Sequence, residues 1–334
     1  MAYSVDHNKM ENKKLIEKIE KLSKKYSATG QDLYSYLDGL LYSDYIGYWN
    51  YIHLDTLLSL QNPKTEFPDE KIFIIYHQIT ELYFQLCLLE LEQINKNGRH
   101  VLETGEDLGW KKKLTLDVFI EKMQRVNRYV KNLVDSFDIM ISGMNRDEFL
   151  KFRMALLPSS GFQSVQYRMI ELRSTRIEQI VSDKNNSSDL DSLYKKLYWK
   201  SGANELSSGK KTYTLEKFEK KYDHRLKKLT NKMVEKNVWS KYLSLSKKDQ
   251  SNQQLIKLLK EYDYTLNIEW KLAHYKSAVK YLKSNPKNIK ATGGTNWQKY
   301  LPPKYQKIIF FPKLWSKEER ENWGKKWIDS INPA

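Results

Sequence analysis

Six histidines, one cysteine and one arginine set among phenylalanines are where this sequence could do chemistry. Cys87 stands alone, which excludes an internal disulfide and any cysteine-cluster zinc or iron–sulfur site. His7, His53, His100 and His224 sit in polar text and need no role beyond surface or local packing. His77 differs, because it interrupts the most hydrophobic stretch of the chain, FIIYHQITEL, with Phe73 one helical turn before it and Glu81 one turn after. An imidazole there is either satisfied by a neighbour inside a core or faces a cavity. His274, in EWKLAHYKSAV, has Trp270 one turn before it and Ala278 one turn after. That spacing suits an axial haem ligand, and it also describes many structural histidines. Arg153 follows Phe149 and Phe152 and precedes Pro158-Ser159-Ser160-Gly161-Phe162-Gln163-Ser164. A guanidinium in an apolar helix needs an anion, and its planar fork fits a carboxylate. An internal Asp or Glu would serve as well. Thr292-Gly293-Gly294-Thr295 is a turn whose free N–H groups and hydroxyls could hold a polar head group, or simply a turn.

The elements that must carry these residues read almost entirely at helical period. Residues 10–26 put Leu15, Ile16, Ile19 and Leu22 on one stripe, as in a surface helix or an arm that packs on a partner. Tyrosine is dense between Leu33 and Tyr51, suggesting a segment wedged between surfaces. A short helix follows from His53 to Gln61. Pro68-Asp69-Glu70 opens a helix whose stretch from Ile72 to Ile94 is apolar almost all round, the pattern of a central buried helix, and Asn97-Gly98 ends it. Helices are expected at about 115–140, from Asn145 to Leu157, and at 162–182, 190–199, 214–235, 250–284 and 316–329. No strand is expected.

Composition supports this reading. Gly 13 and Pro 8 are few for 334 residues, which argues against a turn-rich all-β fold, and 13% aromatic residues argue against disorder. The start lacks the apolar core of a signal peptide and no apolar run nears the length of a membrane span, so a cytoplasmic chain without a membrane partner is expected. The net charge of +16 raises the possibility of a nucleic-acid partner. The basic surplus is largest in residues 183–260, which hold 19 basic and 9 acidic side chains, and lysines are interleaved with glutamates over most helices. A basic helical nucleic-acid-binding protein without enzyme activity needs clustered Lys/Arg beside exposed aromatics. A solvated surface is the simpler reading, with no nucleic-acid partner.

Four blocks in order make the pattern specific: Tyr48-Trp49-Asn50-Tyr51-Ile52-His53-Leu54-Asp55; PDEKIFIIYHQITELYFQ at 68–85; FLKFRMALLPSSGFQSVQYRMIE at 149–171; and Trp270…His274 with TGG downstream. In these the chain resembles the tryptophan 2,3-dioxygenase family of haem enzymes. The likeness is strong over about 45–95, 145–172 and 266–315, and weak over 1–40 and 175–260. It implies an all-α, helical haem-binding domain of the tryptophan/indoleamine dioxygenase type with additional helices. Residues 1–40 would be an N-terminal extension with a helical arm. Residues 41–334 would form the dioxygenase domain, with 183–260 a divergent helical insertion.

The same resemblance implies the roles. His274 would be the axial ligand of haem b iron, with Trp270, Ser160 and Gly161 lining the haem. His77 would accept a hydrogen bond from the indole N–H, Phe73 would pack on the ring, Phe149 would be among the substrate-binding residues although its position is Tyr or Phe within the family, Arg153 would clamp the substrate carboxylate, and Thr292 would hold the head group. Tyr48, Tyr51 and Ile52 would reach a neighbouring site in a homotetramer. The implied reaction is cleavage of the indole C2–C3 bond of L-tryptophan by O2 over ferrous haem, giving N-formyl-L-kynurenine in tryptophan catabolism. The turn Ala291-Thr292-Gly293-Gly294-Thr295-Asn296-Trp297 departs from the family, which usually has Gly before Thr and Ser-Ser-Gly after the glycines. The alternative is therefore a relative that inserts one oxygen or acts on a modified tryptophan or indole in secondary metabolism.

Overall fold

In the computed structural model, residues 2–156, 163–182, 189–201, 203, 211–282 and 306–325 are described, with 2–10, 201 and 282 described by their backbone alone. The architecture is all-α apart from one hairpin. The chain divides into two compact units, Met1–Gln61 and Asn62–Ala334.

The first unit holds α1 (Ala2–Ala28), α2 (Leu33–Tyr42), α3 (Tyr48–Tyr51) and α4 (Leu54–Leu58). Asp32 caps α2 by accepting from the N–H groups of Tyr34 and Ser35. The stripe Leu15, Ile16, Ile19 and Leu22 is solvent-exposed, as are Tyr34, Leu40, Leu41, Tyr42, Tyr45, Tyr48, Trp49 and Tyr51. So much exposed apolar area on one unit marks an interaction surface.

The second unit is built on α5 (Pro68–Asn95), which begins with proline in its first turn and carboxylates at the positive end of its dipole. It ends where Asn97 and Gly98 adopt positive φ. The hairpin β1 (Arg99–Val101) and β2 (Asp107–Trp110) follows, and the sequence reading missed it. Its strands are too short to show alternation, and Arg99 paired with Asp107 and stacked on Trp110 holds them together. Then come α6 (Leu116–Asp135), α7 (Asp138–Ser142), α8 (Arg146–Phe152) with a 3-10 turn at Arg153–Leu156, and α9 (Val165–Ser174), shorter than the 162–182 expected. Beyond a 3-10 turn at Ile177–Gln179 lie α10 (Leu190–Lys195), α11 (Tyr198–Ser201), α12 (Tyr213–Met233), α13 (Val238–Leu243), α14 (Lys247–Gln250) and α15 (Gln253–Tyr264). A π-helical turn, Thr265–Glu269, joins α15 to α16 (Trp270–Leu282), and α17 (Lys317–Glu321) follows the Pro312–Leu314 turn.

Helix α5 packs against α6 and α9, α6 also packs against α15, and α16 packs against α7 and α8. Phe119, Met123, Val126, Val130 and Leu133 of α6 are buried, as its period predicts. The expectation that α5 is buried all round is corrected. Tyr76, Phe84, Cys87, Leu91 and Ile94 are buried, while Ile75, Leu82, Leu86 and Leu89 form an exposed apolar stripe on the other face. This helix is also long and apolar enough to cross a membrane by length and composition, contrary to the sequence reading. Its inner face is nevertheless packed on protein, as in a core helix.

Polar anchors fix the register. Gln166 Nε2 donates to the Glu81 carbonyl at 2.9 Å and to Glu81 Oε2 at 2.8 Å, tying α9 to α5. Arg168 and Glu171 form a buried ion pair at 2.8 Å, and Tyr198 donates to the same carboxylate at 2.6 Å. Lys271 lies over the Tyr198 ring at 5.1 Å. A buried pair of this kind fixes which faces meet more than it adds stability.

Candidate active site

The two singled-out histidines meet in the second unit. His77 projects from α5 and His274 from α16, close enough that a charge on His77 further disfavours one on His274. Both carry the same local lock. His77 Nδ1 lies 2.7 Å from the Phe73 carbonyl, and His274 Nδ1 lies 2.9 Å from that of Trp270. Since a carbonyl only accepts, each ring holds its proton on Nδ1 and directs the Nε2 lone pair outward.

An arc of aromatic rings lines the space around them. Phe73 stacks on His77 at 4.0 Å and meets Phe149 at 6.2 Å and Phe152 at 5.8 Å. Phe149 continues to Tyr281 at 4.6 Å. Phe137, at the end of α6, lies 5.6 Å from Tyr76, 5.1 Å from Trp270 and 4.5 Å from His274. Trp270 stands perpendicular to His274 at 4.3 Å. The sequence reading gave no role here to Tyr76, Phe137 or Tyr281. Tyr281 had a usable signal, since it lies two turns after His274 on the same helical face.

The surroundings separate the two imidazoles. Burial drives the pKa of His274 down to about 4, opposed by its bond to the Trp270 carbonyl. His77 keeps an exposed edge. Even so, the protein packed around it lowers its pKa, against the Phe73 carbonyl and Glu81, which raise it. The ring is thus accessible along one edge while protein packs closely around the rest of it. Both rings are neutral at pH 7.

Arg153 begins the 3-10 turn after α8, beside Phe152, and is buried. Burial lowers its pKa without removing its charge at neutral pH. Helix α8 itself starts on Asn145, whose side chain accepts from the N–H groups of Asp147 and Glu148. Ser160, Gly161 and Thr292, expected near the haem edge and the head group, lie outside the described residues. Tyr48, Tyr51 and Ile52 belong to the first unit, where both tyrosines are exposed.

Among the described residues no three His, Cys, Asp or Glu side chains cluster as a metal site. An iron held through His274 alone needs its other ligands from a macrocycle, and the flat aromatic surroundings are compatible with one. The Trp270 carbonyl fixes the tautomer of His274.

The family model for tryptophan 2,3-dioxygenase matches residues 37–289. The chain belongs to the tryptophan 2,3-dioxygenase family. It is 38% identical over 130 residues to the tryptophan 2,3-dioxygenase of Ruegeria sp. (strain TM1040), covering 39% of this chain and 42% of the relative. It is 35% identical over 130 residues to that of Polaromonas naphthalenivorans (strain CJ2), covering 39% and 41%. It is 36% identical over 141 residues to that of Dictyostelium discoideum, covering 39% and 33%. These alignments span about two-fifths or less of the relatives' lengths. The family match ends just before Thr292.

Proposed function

We propose that this chain is a haem-dependent dioxygenase that opens the indole ring of L-tryptophan with O2 to give N-formyl-L-kynurenine. The observation that carries the reading is the pair of neutral histidines, each with its Nδ1 proton held by a backbone carbonyl, set near each other among Phe73, Phe137 and Trp270. His274 would hold haem b iron through Nε2, with Trp270 beside it. A neutral imidazole in a desolvated setting is a competent ligand without first losing a proton. When bound, ferrous haem supplies the O2 chemistry.

The chain's own residues bind and orient. His77 Nε2 accepts the indole N–H, and Phe73 and Phe149 pack on the ring, which places the C2–C3 bond. His77 holds its own proton on Nδ1 and need not abstract one. Arg153 binds the amino-acid carboxylate, where a charge-assisted bond in an apolar setting is strong. Thr292 would complete the head-group contact, and Ser160 and Gly161 would help to hold the haem.

We read the protein as a cytoplasmic homotetramer in which Tyr48, Tyr51 and Ile52 complete a neighbouring site. The exposed tyrosines of the first unit and the stripe Ile75, Leu82, Leu86 and Leu89 support contact with other copies. In light scattering, Leu82→Glu with Leu89→Glu is expected to lower the oligomer mass. An unchanged mass would remove this stripe from the interface. The division into an extension at 1–40 and a domain at 41–334, with 183–260 as an insertion, belongs to the same reading.

A second reading is favoured by the altered turn at 291–297: a modified indole substrate, or insertion of one oxygen. Reduced, haem-loaded protein given O2 and L-tryptophan should yield N-formyl-L-kynurenine. A monooxygenated product, or turnover only with a substituted indole, selects the second reading. Failure to bind haem rejects both.

A further inference from the structure

The π-helical turn at Thr265–Glu269 lies directly between α15 and the helix that carries His274. A π turn holds about one residue more than an α turn, so everything after it is rotated by about 100° relative to a continuous helix. Without it, the direction His274 takes would pass to a neighbouring residue. Such turns are rare in helices and costly, so something must hold this one.

The holding group is Asp263. Its side chain is wholly buried at the last turn of α15. Oδ1 accepts from Asn267 Nδ2 at 2.9 Å and from the Phe310 N–H at 2.9 Å. Oδ2 accepts from the Phe311 N–H at 3.0 Å and from Trp315 Nε1 at 2.9 Å. The bond to Asn267 reaches from the end of α15 into the π turn, and the other three fasten the segment 308–315 beside it. That segment is itself fixed, since Phe310 and Phe311 are fully buried and the Phe310 carbonyl accepts from Thr175 Oγ1 at 2.6 Å. A carboxylate with four donors can be buried because its charge is fully hydrogen-bonded. None of these groups touches His274; they act on the helix that aims it.

We propose that Asp263 is a positioning residue for the axial ligand: by holding the π turn between Asn267 and the segment 308–315, it sets the rotation of α16 and so the direction of His274. This rests on the reading of His274 as the haem ligand. Asparagine at 263 cannot accept at both side-chain atoms and would set its NH2 donor either against Asn267 Nδ2 and the Phe310 N–H or against the Phe311 N–H and Trp315 Nε1. Removing the Asn267 side chain loses only the bond from Asp263 into the π turn.

The test compares Asp263→Asn, Asn267→Ala, Trp315→Phe and His274→Ala in the full chain loaded with haem b. It reads the haem dissociation constant, the ferrous iron–histidine stretching band by resonance Raman, and helix content. Asp263→Asn and Asn267→Ala are expected to keep their helix content, to weaken haem binding at least about 10-fold, and to shift or broaden the iron–histidine band. Trp315→Phe, which leaves the Asn267 bond in place, is expected to move the band least. If His274→Ala loses the band while Asp263→Asn and Asn267→Ala keep the wild-type affinity and band, Asp263 is structural only and the inference is overturned. If Asp263→Asn does not fold, Asn267→Ala decides alone. If His274→Ala keeps the native band, the ligand assignment fails instead.

Discussion

His77 and His274 share a local geometry and differ in nearly everything beyond it. Each donates Nδ1–H to the carbonyl four residues earlier, so the helix itself fixes both tautomers. His274 is half-buried, closed in by Trp270 and Phe137, and burial takes its pKa down to about 4. His77 keeps an open edge, stacks on Phe73, and has Glu81 raising its pKa against burial. One lock in two environments suits two tasks: a fixed ligand on one side and a reversible acceptor on the other. The backbone sets which nitrogen is free, and the second set of neighbours decides what it can meet.

The largest expected effect breaks the comparison at its fixed side. His274→Ala should abolish stable axial ligation, seen as loss of the native Soret position and of any ferrous iron–histidine band. Next is Arg153→Ala. Losing a charge-assisted pair at a buried site costs about 2–4 kcal/mol. The Michaelis constant should therefore rise by one to three orders of magnitude with haem spectra unchanged, and an unchanged constant would remove the clamp. His77→Ala should keep haem and lose a neutral hydrogen bond of about 1 kcal/mol, so turnover falls about 5- to 10-fold. A change in axial ligation there would contradict the division of roles.

A smaller effect concerns stability around the fixed side. Lys271 is buried, its Nζ has no hydrogen-bond partner among the described residues, and burial lowers its pKa to about 7, with Glu171 opposing and Arg168 assisting. The folded value lies below the unfolded value of 10.5, so the unfolded chain binds the extra proton between the two. This group's contribution to stability therefore rises as pH climbs from about 7 to 10.5 and is least favourable below 7. Lys271→Met should raise stability at pH 7 by about 1–3 kcal/mol and flatten that rise, as denaturant unfolding would show. His274 in the haem-free protein acts in the same sense. Its folded value near 4 lies below the unfolded 6.5, so stability is lost as pH falls from 6.5 to 4, and His274→Ala should remove that loss.

Much of the site was legible in the sequence, because helical spacing carries it. Phe73–His77 and Trp270–His274 are i,i+4 pairs, and the contacts they make are those the spacing implies. The block at 149–171 was readable as diagnostic. Several of its residues turn out to anchor the scaffold: Gln166 holds α5, and Arg168 with Glu171 binds Tyr198. What sequence periodicity could not give depends on distant partners. The π turn at 265–269 rests on a segment more than forty residues later, with no local signature. The exposed face of α5 looks identical in sequence to its buried face, since leucines occupy both. The hairpin at 99–110 rests on one ion pair and one stacked tryptophan.

The measurement that tests the central claim most directly is the ferrous haem spectrum of the reconstituted protein, recorded with and without L-tryptophan for wild type, His77→Ala and His274→Ala. A histidine-ligated ferrous spectrum is expected in wild type and His77→Ala, perturbed by L-tryptophan in wild type and less so in His77→Ala, with no such ligation in His274→Ala. Native ligation surviving in His274→Ala, or lost in His77→Ala, would contradict that claim.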